Sequence, residues 1–393
     1  MSDNSSHQKI TIAHIMPWSG VGGVEIATLR MTEATRDRFR HVGFCLPDAV
    51  ALRNSFEQLG IETVIYAAPE PSLKHGLNYY QASRALAQQL RSAGADIVHF
   101  SEIKGAYHSS LAARLANARI ICHVRNTYPA ISLRERLPLS PVHSFIFVSV
   151  EAQRNFGYPV PDSRSRVIYD AIEIPQIDID QSNVDVRLEL GIPTDCTVVG
   201  MVARVNPQKD YFTLANAAAE VLRKHPSTRF LVVGDNSSVE MNREHYEQVV
   251  QRLDELKIRE SFIFTGYRKD VSRLIAAMDI GVLSTHREGF GLCVAETMAL
   301  QKPVVATAVG GLLDFVQDGV TGCLHQHENS TELAAAITAL IEDPEKARRI
   351  GAAGYDYVRR NYGREKFVEE IASAYADLMP QSPSHRQVTA QEN

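Results

Sequence analysis

The chain has 393 residues, 45% of them hydrophobic and 22% charged. Those values exclude a disordered, collagen-like or disulfide-framework protein and suit two domains that each bury their own core. With 41 basic against 46 acidic residues the formal charge is −5, so no overall positive field draws the chain to nucleic acid or anionic lipid, and only a local basic face remains open. Cys45, Cys122, Cys196, Cys293 and Cys323 are widely spaced with no CxxC pair, which points away from zinc or redox chemistry and toward a reducing compartment. The start, MSDNSSHQK, lacks an apolar h-region, and no run of about 18 apolar residues occurs anywhere, so a cytoplasmic protein without signal peptide or membrane span is expected. Residues 1–9 are expected to be disordered.

In chain order, short apolar runs alternate with amphipathic segments, the pattern of βα units that build parallel sheets. Strands are expected over 10–16, 42–46, 96–100, 119–124 and 144–150, with a helix such as 78–93 among them. The second half repeats the pattern with strands over 197–203, 229–234, 261–266, 279–285 and 303–309, separated by helices over 212–224 and 245–257. Periodicity fails near IEIPQIDIDQSNVDV, so an interdomain linker is expected around 175–184. Helices over 331–342 and 344–361 follow the last strand. A final helix over 364–378 carries Phe367, Ile371, Ala374 and Leu378 at spacings that make one apolar face. The fold class is α/β, with two doubly wound, Rossmann-like domains over 10–182 and 183–362, a closing helix within 363–379 and a polar, disordered tail over 380–393.

Open parallel sheets bind ligands at the carboxyl ends of their strands. There the sequence places Gly20, Gly22 and Gly23, then Glu102, then His123 and Arg125 in the first half. In the second half it places Arg204 and Lys209, Asp235 and Asn236, Tyr267 and Arg268, Glu288 with its glycines, and Gly310 with Gly311. In REGFGLCVAETMAL, Gly289 and Gly291 permit close approach of backbone to a ligand. The helix starting near Gly291 or Leu292 offers free N–H groups beside Glu288. Glu296 lies within that apolar helix, where a carboxylate needs hydrogen-bond donors, either from ligand hydroxyls or from a nearby arginine. In VARVNPQKD, Arg204 and Lys209 flank a turn at Asn206 and Pro207. Two cations so placed suit a diphosphate, the arginine bidentately and the lysine as a point charge; as surface cations near a turn they would carry no function.

The pairing of Arg204 and Lys209 with EGFGLCVAE, followed by PVVATAVGGLLDFVQDGVTG, resembles the donor domain of retaining GT-B glycosyltransferases, specifically glycosyltransferase family 4 (glycosyl transferases group 1). The likeness covers most of residues 190–362. It implies that Arg204 and Lys209 hold a nucleotide diphosphate. Glu288 and the N–H groups of Gly289, Phe290, Gly291 and Leu292 would bind the donor sugar, Glu296 the ribose hydroxyls, and Tyr267 with Arg268 would border the base. SGVGGVE resembles the family's glycine-rich first loop, assigning Gly22 and Gly23 to the donor, and ICHV its strand ending in a histidine, so that His123 faces the donor sugar. His14 is read as a core histidine. The chain departs from the family at YDAIE (169–173), where an Asn-Gly pair is common, and at Asp314, where a Glu is common.

The same resemblance implies retention of configuration, for which the favoured reading is front-face displacement; no metal is expected, since no carboxylate pair sits at a strand end and two side-chain cations face the phosphates. No cofactor is expected beyond the nucleotide-sugar co-substrate (a UDP-sugar favoured, GDP-mannose the other choice), and the expected acceptor is a glycan, a lipid-linked glycan or a small molecule. Cell-surface polysaccharide or glycoconjugate synthesis is the setting the resemblance implies. Arg114, Arg119, Arg125, Arg134 and Arg136 crowd one stretch of the first half, a possible peripheral contact with the inner face of a membrane. Two other enzyme classes fit less well: Glu25 stands where a GxGxxG dinucleotide fingerprint needs glycine, and the one prominent Asp-x-Asp, Asp178 and Asp180, lies in the expected linker. A non-catalytic nucleotide-sugar-binding module would show the same residues.

Overall fold

The computed structural model describes residues 9–71 and 74–379. It divides into two compact units, one built from residues up to 148, 155–169 and from 365 onward, the other from 149–154 and 170–364. Residues 1–8 and 380–393, where disorder is expected, lie outside the described part.

Among the described residues the first unit holds seven strands: β1 (Thr11–Ile15), β2 (Arg40–Cys45), β3 (Glu62–Ile65), β4 (Ile97–Phe100), β5 (Arg119–Val124), β6 (Ser144–Phe147) and β7 (Ser165–Val167). Their order is β3-β2-β1-β4-β5-β6-β7 and every pairing is parallel. The second unit repeats the plan with β8 (Val198–Val202), β9 (Arg229–Val233), β10 (Phe262–Phe264), β11 (Ile280–Leu283), β12 (Val304–Thr307) and β13 (Cys323–His325), in the order β10-β9-β8-β11-β12-β13. Its pairings are also parallel. Central strands such as β1, β4, β6, β11 and β12 are buried along their whole length, as they must be when helices cover both faces of a sheet. In each sheet the winding reverses once, between β1 and β4 and between β8 and β11, and the loops after those four strands open at the reversal.

The expected linker is folded. The helix Ile179–Glu189 begins inside it, with Asp178 as its cap accepting the Gln181 N–H at 2.9 Å. Ile177 and Ile179 pack on the core formed by Val186, Ile192, Val198 and Met278. The stretch therefore belongs to the second unit, and the division falls at 169/170 rather than near 182. The acidic, aperiodic sequence is a capped helix start rather than a hinge, and Asp178 is consumed by that cap.

The helix Arg364–Ala376 belongs to the first unit. Phe367, Ile371 and Ala374 are buried as the spacing expects, but the next buried position is Tyr375 rather than Leu378. Its hydroxyl meets His99 Nδ1 at 2.7 Å and its ring packs edge-on against Phe39 at 5.0 Å. Exposed ion pairs from Arg38 to Glu369 and from Arg166 to Asp377 flank that anchor.

Candidate functional site

In the second unit the residues after β8 and β11 converge. Lys209 and Thr285 form an isolated bridge, the Asp210 N–H donates to the Ser284 carbonyl at 3.1 Å and the His286 N–H to the Gln208 carbonyl at 3.0 Å. This stitching brings Lys209 Nζ to 2.5 Å from Glu288 Oε2, with only 13% and 16% of the two side chains exposed. A largely desolvated cation and anion hold each other at the sheet reversal, 79 residues apart in sequence. Glu288 Oε1 also accepts the Gly289 N–H at 3.2 Å. Arg204 stands exposed just after β8.

Backbone rather than side chains shapes the rest of this site. Gly291 caps the helix Leu292–Ala299 at φ +94°, a left-handed conformation that a side chain would strain. A Cβ on Gly310 (φ +56°) would come within 1.9 Å of the Glu288 carbonyl oxygen, so the Gly310–Gly311 pair lets the Glu288 loop lie directly on the loop after β12. Phe290 is buried against Phe315 and Tyr362, its ring 5.2 and 5.1 Å from theirs, which fixes the loop from below. Glu296 lies half-buried on the helix. Burial pushes the Cys293 thiol up to about 12, and Lys209, Glu288 and Glu296 all act on it electrostatically, so these three charged groups gather around one side chain.

Tyr267 and Arg268 follow β10 and differ in availability. Tyr267 is 57% exposed. Arg268 donates to both carboxylate oxygens of Asp270 at 2.8 and 2.7 Å and to Glu189 at 2.7 Å, and those acids raise its pKa further. Its guanidinium is thus held by protein, a commitment invisible in sequence because Glu189 comes from a different element. Asp314, the residue that departs from the family pattern, accepts the Val150 N–H at 2.8 Å.

In the first unit the loop after β1 places Gly22 as cap of the helix Gly23–Thr35, with its N–H donating to Glu25 Oε2 at 2.9 Å. A Cβ on Gly20 or Gly23 would meet no protein atom within 4 Å, so packing does not demand glycine there. His123, at the end of β5, is fully buried, and Arg125 Nη2 lies 3.2 Å from its Nδ1. A guanidinium only donates, so Nδ1 must accept and the ring proton sits on Nε2. Nε2 is buried and meets no partner among the described residues. Burial, then Arg125, His99 and His14, drives the His123 pKa well down, leaving a neutral N–H donor.

His123 is one of four buried histidines on one face of the sheet, with His41, His14 and His99. Their rings stand 5.1, 5.3 and 5.4 Å apart in succession from His41 to His123. Thr35 donates to the Met31 carbonyl, so it accepts from His41 Nε2 at 3.0 Å, and His41 Nδ1 accepts from His14 Nε2 at 2.9 Å. His14 is therefore a core histidine with a defined tautomer. Glu102, after β4, caps the helix Ile103–Leu115 through the Ile103 N–H at 2.9 Å. Burial pushes its carboxyl up to about 7, against the pull of that N–H, Tyr128 and Arg125. Sequence reading noted Glu102 only as a strand-end residue; its burial was the missing signal.

Two parallel doubly wound units with polar groups at both strand reversals define a GT-B architecture, and solved structures agree. Anabaena HepE in complex with UDP and glucose superposes with a TM-score of 0.82 at 22% identity, covering 94% of this chain and 100% of that one. Sucrose-phosphate synthase of Thermosynechococcus elongatus gives 0.76 at 20%, covering 94% and 99%. The family described as Glycosyl transferases group 1 matches residues 185–357 and Glycosyltransferase Family 4 matches residues 21–174. The chain belongs to this glycosyltransferase family. Among curated relatives, the D-inositol 3-phosphate glycosyltransferase of Nocardia farcinica is 33% identical over 187 residues, 45% of this chain and 41% of that protein. The N-acetyl-alpha-D-glucosaminyl L-malate synthase of Bacillus anthracis is 24% identical over 219 residues, 56% and 55%. The chain spans about half the length of the curated relatives it matches.

Proposed function

We propose that the protein is a retaining, metal-independent hexosyltransferase that moves a sugar from a UDP-sugar to an acceptor hydroxyl in polysaccharide or glycoconjugate synthesis. The observation that carries this reading is the Lys209–Glu288 pair at the strand reversal, beside the helix start at Gly291 and Leu292 and with Arg204 exposed nearby. Lys209 presents its remaining N–H donors and Arg204 its fork to the two phosphates, offsetting the charge that grows as the diphosphate leaves. Glu288 and the backbone N–H groups of Gly289, Phe290, Gly291 and Leu292 orient the sugar, and Glu296 takes the ribose hydroxyls. Tyr267 lies against the base, with Arg268 holding that loop in place through Asp270 and Glu189. Gly23 leaves room at the first loop beside the capping Gly22, and His123 donates its free Nε2–H to a sugar hydroxyl.

In the reaction the bond from the anomeric carbon to the phosphate oxygen breaks and the acceptor oxygen bonds to that carbon on the same face. The acceptor proton passes to a phosphate oxygen of the departing diphosphate, so no protein nucleophile is required. The HepE complexes with UDP and with UDP-glucose support the choice of donor. The acceptor is assigned to the first unit, where Trp18, 45% exposed with Lys104 Nζ 3.5 Å above its ring, offers an apolar face that suits a sugar ring.

Membrane contact is the narrower part of the reading. Of the crowded arginines, Arg125 is buried and Arg136 donates to the carbonyls of Ile131 and Gly157, while Arg114, Arg119 and Arg134 stand exposed. Leu133 and Leu137, 81% and 75% exposed on the helix Leu133–Leu139, are the apolar groups that would meet a bilayer at the cytoplasmic face. No helix of the described residues is long and apolar enough to cross a membrane.

The test is a panel of UDP-, GDP- and ADP-sugars screened by thermal shift in excess EDTA, followed by turnover of the stabilising donor and the anomeric configuration of the product by NMR. A UDP-sugar should stabilise most and the product should keep the donor's configuration. An inverted product, or turnover that needs an added divalent ion, would overturn the mechanism. Binding without turnover across an acceptor panel would favour a binding module.

A further inference from the structure

Among the described residues, one group of three metal-ligating side chains comes together, and none of the roles above uses it. His286 follows β11, and His327 and Glu328 follow β13. His286 Nδ1 lies 2.8 Å from His327 Nε2, and Glu328 Oε1 lies 3.6 and 3.9 Å from those two nitrogens. The rings meet edge-on at 74° with centroids 5.0 Å apart, so both nitrogens and the carboxylate face one point. All three residues are exposed.

The backbone beneath is fixed. Buried Thr307 joins the two loops, its hydroxyl accepting the Thr285 N–H and meeting His325 Nε2, both at 3.1 Å. The His286 N–H donates to the Gln208 carbonyl. On the other side the Gln326 N–H donates to Glu332 at 2.8 Å and Asn329 caps the helix Ser330–Glu342. Glu328 is held between them at φ +58°, a conformation rare outside glycine.

From this geometry we propose that His286, His327 and Glu328 form a surface site for a borderline divalent transition ion, Zn²⁺ foremost, with water completing the coordination. Two imidazoles and one carboxylate are a donor set for zinc, nickel, cobalt or copper rather than for magnesium or calcium, which take oxygen ligands. Three protein ligands and an open fourth position are the usual arrangement of a zinc ion accessible to solvent. Bonds of about 2.0–2.1 Å in a tetrahedron set the two nitrogens roughly 3.3 Å apart, so the hydrogen-bonded rings open by about half an ångström. Torsion of exposed side chains supplies that movement, and the ring proton now between the nitrogens moves to the other nitrogen of its own ring through solvent. The bound ion ties the loop that carries Glu288, two residues beyond His286, to the loop after β13. Its binding is separate from the transfer reaction and is measured without turnover.

The experiment titrates the full chain with ZnCl₂ against a chromophoric chelator, and with CoCl₂ followed by its visible absorption. One equivalent of Zn²⁺ should bind, and Co²⁺ should develop bands of a four- or five-coordinate nitrogen and oxygen site. His327→Ala should weaken Zn²⁺ at least about tenfold, and Glu328→Gln should weaken it less. Millimolar Mg²⁺ should not displace the ion. The variants change exposed side chains, and unaltered melting curves would confirm that they fold. Zn²⁺ binding that is absent, or that is unchanged in the His286→Ala/His327→Ala double variant, would overturn the site, and displacement by Mg²⁺ would overturn the ion class.

Discussion

Lys209 and Glu288 show what a single residue owes to the fold. Each was recognisable from its place after a strand, because glycines and charges at strand ends have few structural reasons to be there. Their direct pairing was not, since it joins positions 79 residues apart. If the pair positions Lys209 for a diphosphate, Lys209→Ala and Arg204→Ala should each lower turnover at saturating donor by about 10²- to 10³-fold. Arg204→Lys should also be impaired, because the bidentate fork is lost. Wild-type rates in both alanine variants would remove the diphosphate assignment. The Nε2–H tautomer of His123 was equally hidden, since it follows from a guanidinium contact that only coordinates reveal. By contrast Arg268, expected from the resemblance to border the base, is bound by two acids.

Among elements, the central strands were legible and three of the four sheet edges were not, β10 being the edge that was read. Strands β1, β4, β5, β8, β9, β11 and β12 are near-continuous apolar runs, as burial on both faces requires. The three strands missing from the sequence reading, β3 (ETVI), β7 (SRV) and β13 (CLH), are sheet edges. An edge strand is short and half-solvated, so its composition does not announce it. The helix Arg364–Ala376 was legible through its spacing, while its anchor, Tyr375 on His99, was not. Tyr375→Phe should cost the first unit about 1 kcal/mol for the lost hydrogen bond, and Tyr375→Ala about 3–5 kcal/mol for the cavity. Removing everything from Arg364 onward should lower the first unit's melting temperature more than either. Calorimetry of the three variants checks the order; a truncated chain that melts like the full one would show the helix to be an appendage.

For the whole molecule, the buried histidine row predicts how stability varies with pH. His14, His99 and His123 titrate well below the usual imidazole value and His41 at about 4, in each case chiefly through burial. The unfolded chain therefore binds more protons below about pH 6.5, and stability must fall on acidification. Glu102 acts in the opposite sense: its raised value, about 7, means that the folded state takes up a proton first. Between about pH 6.5 and 5.5 each imidazole contributes a loss of about 1 kcal/mol and Glu102 a gain of about 1, a net loss of about 3 kcal/mol. Urea melts at the two pH values measure it, and equal stabilities would mean that the row is not neutral and buried in solution.

The central claim, that Arg204 and Lys209 bind the diphosphate of a nucleotide without a metal, is tested most directly by calorimetric titration of UDP into the full chain in excess EDTA. The account predicts binding by the wild type and at least tenfold weaker binding, about 1.4 kcal/mol, in Arg204→Ala and in Lys209→Ala. UDP that binds only after a divalent ion is restored, or that binds both variants as tightly as the wild type, would contradict it.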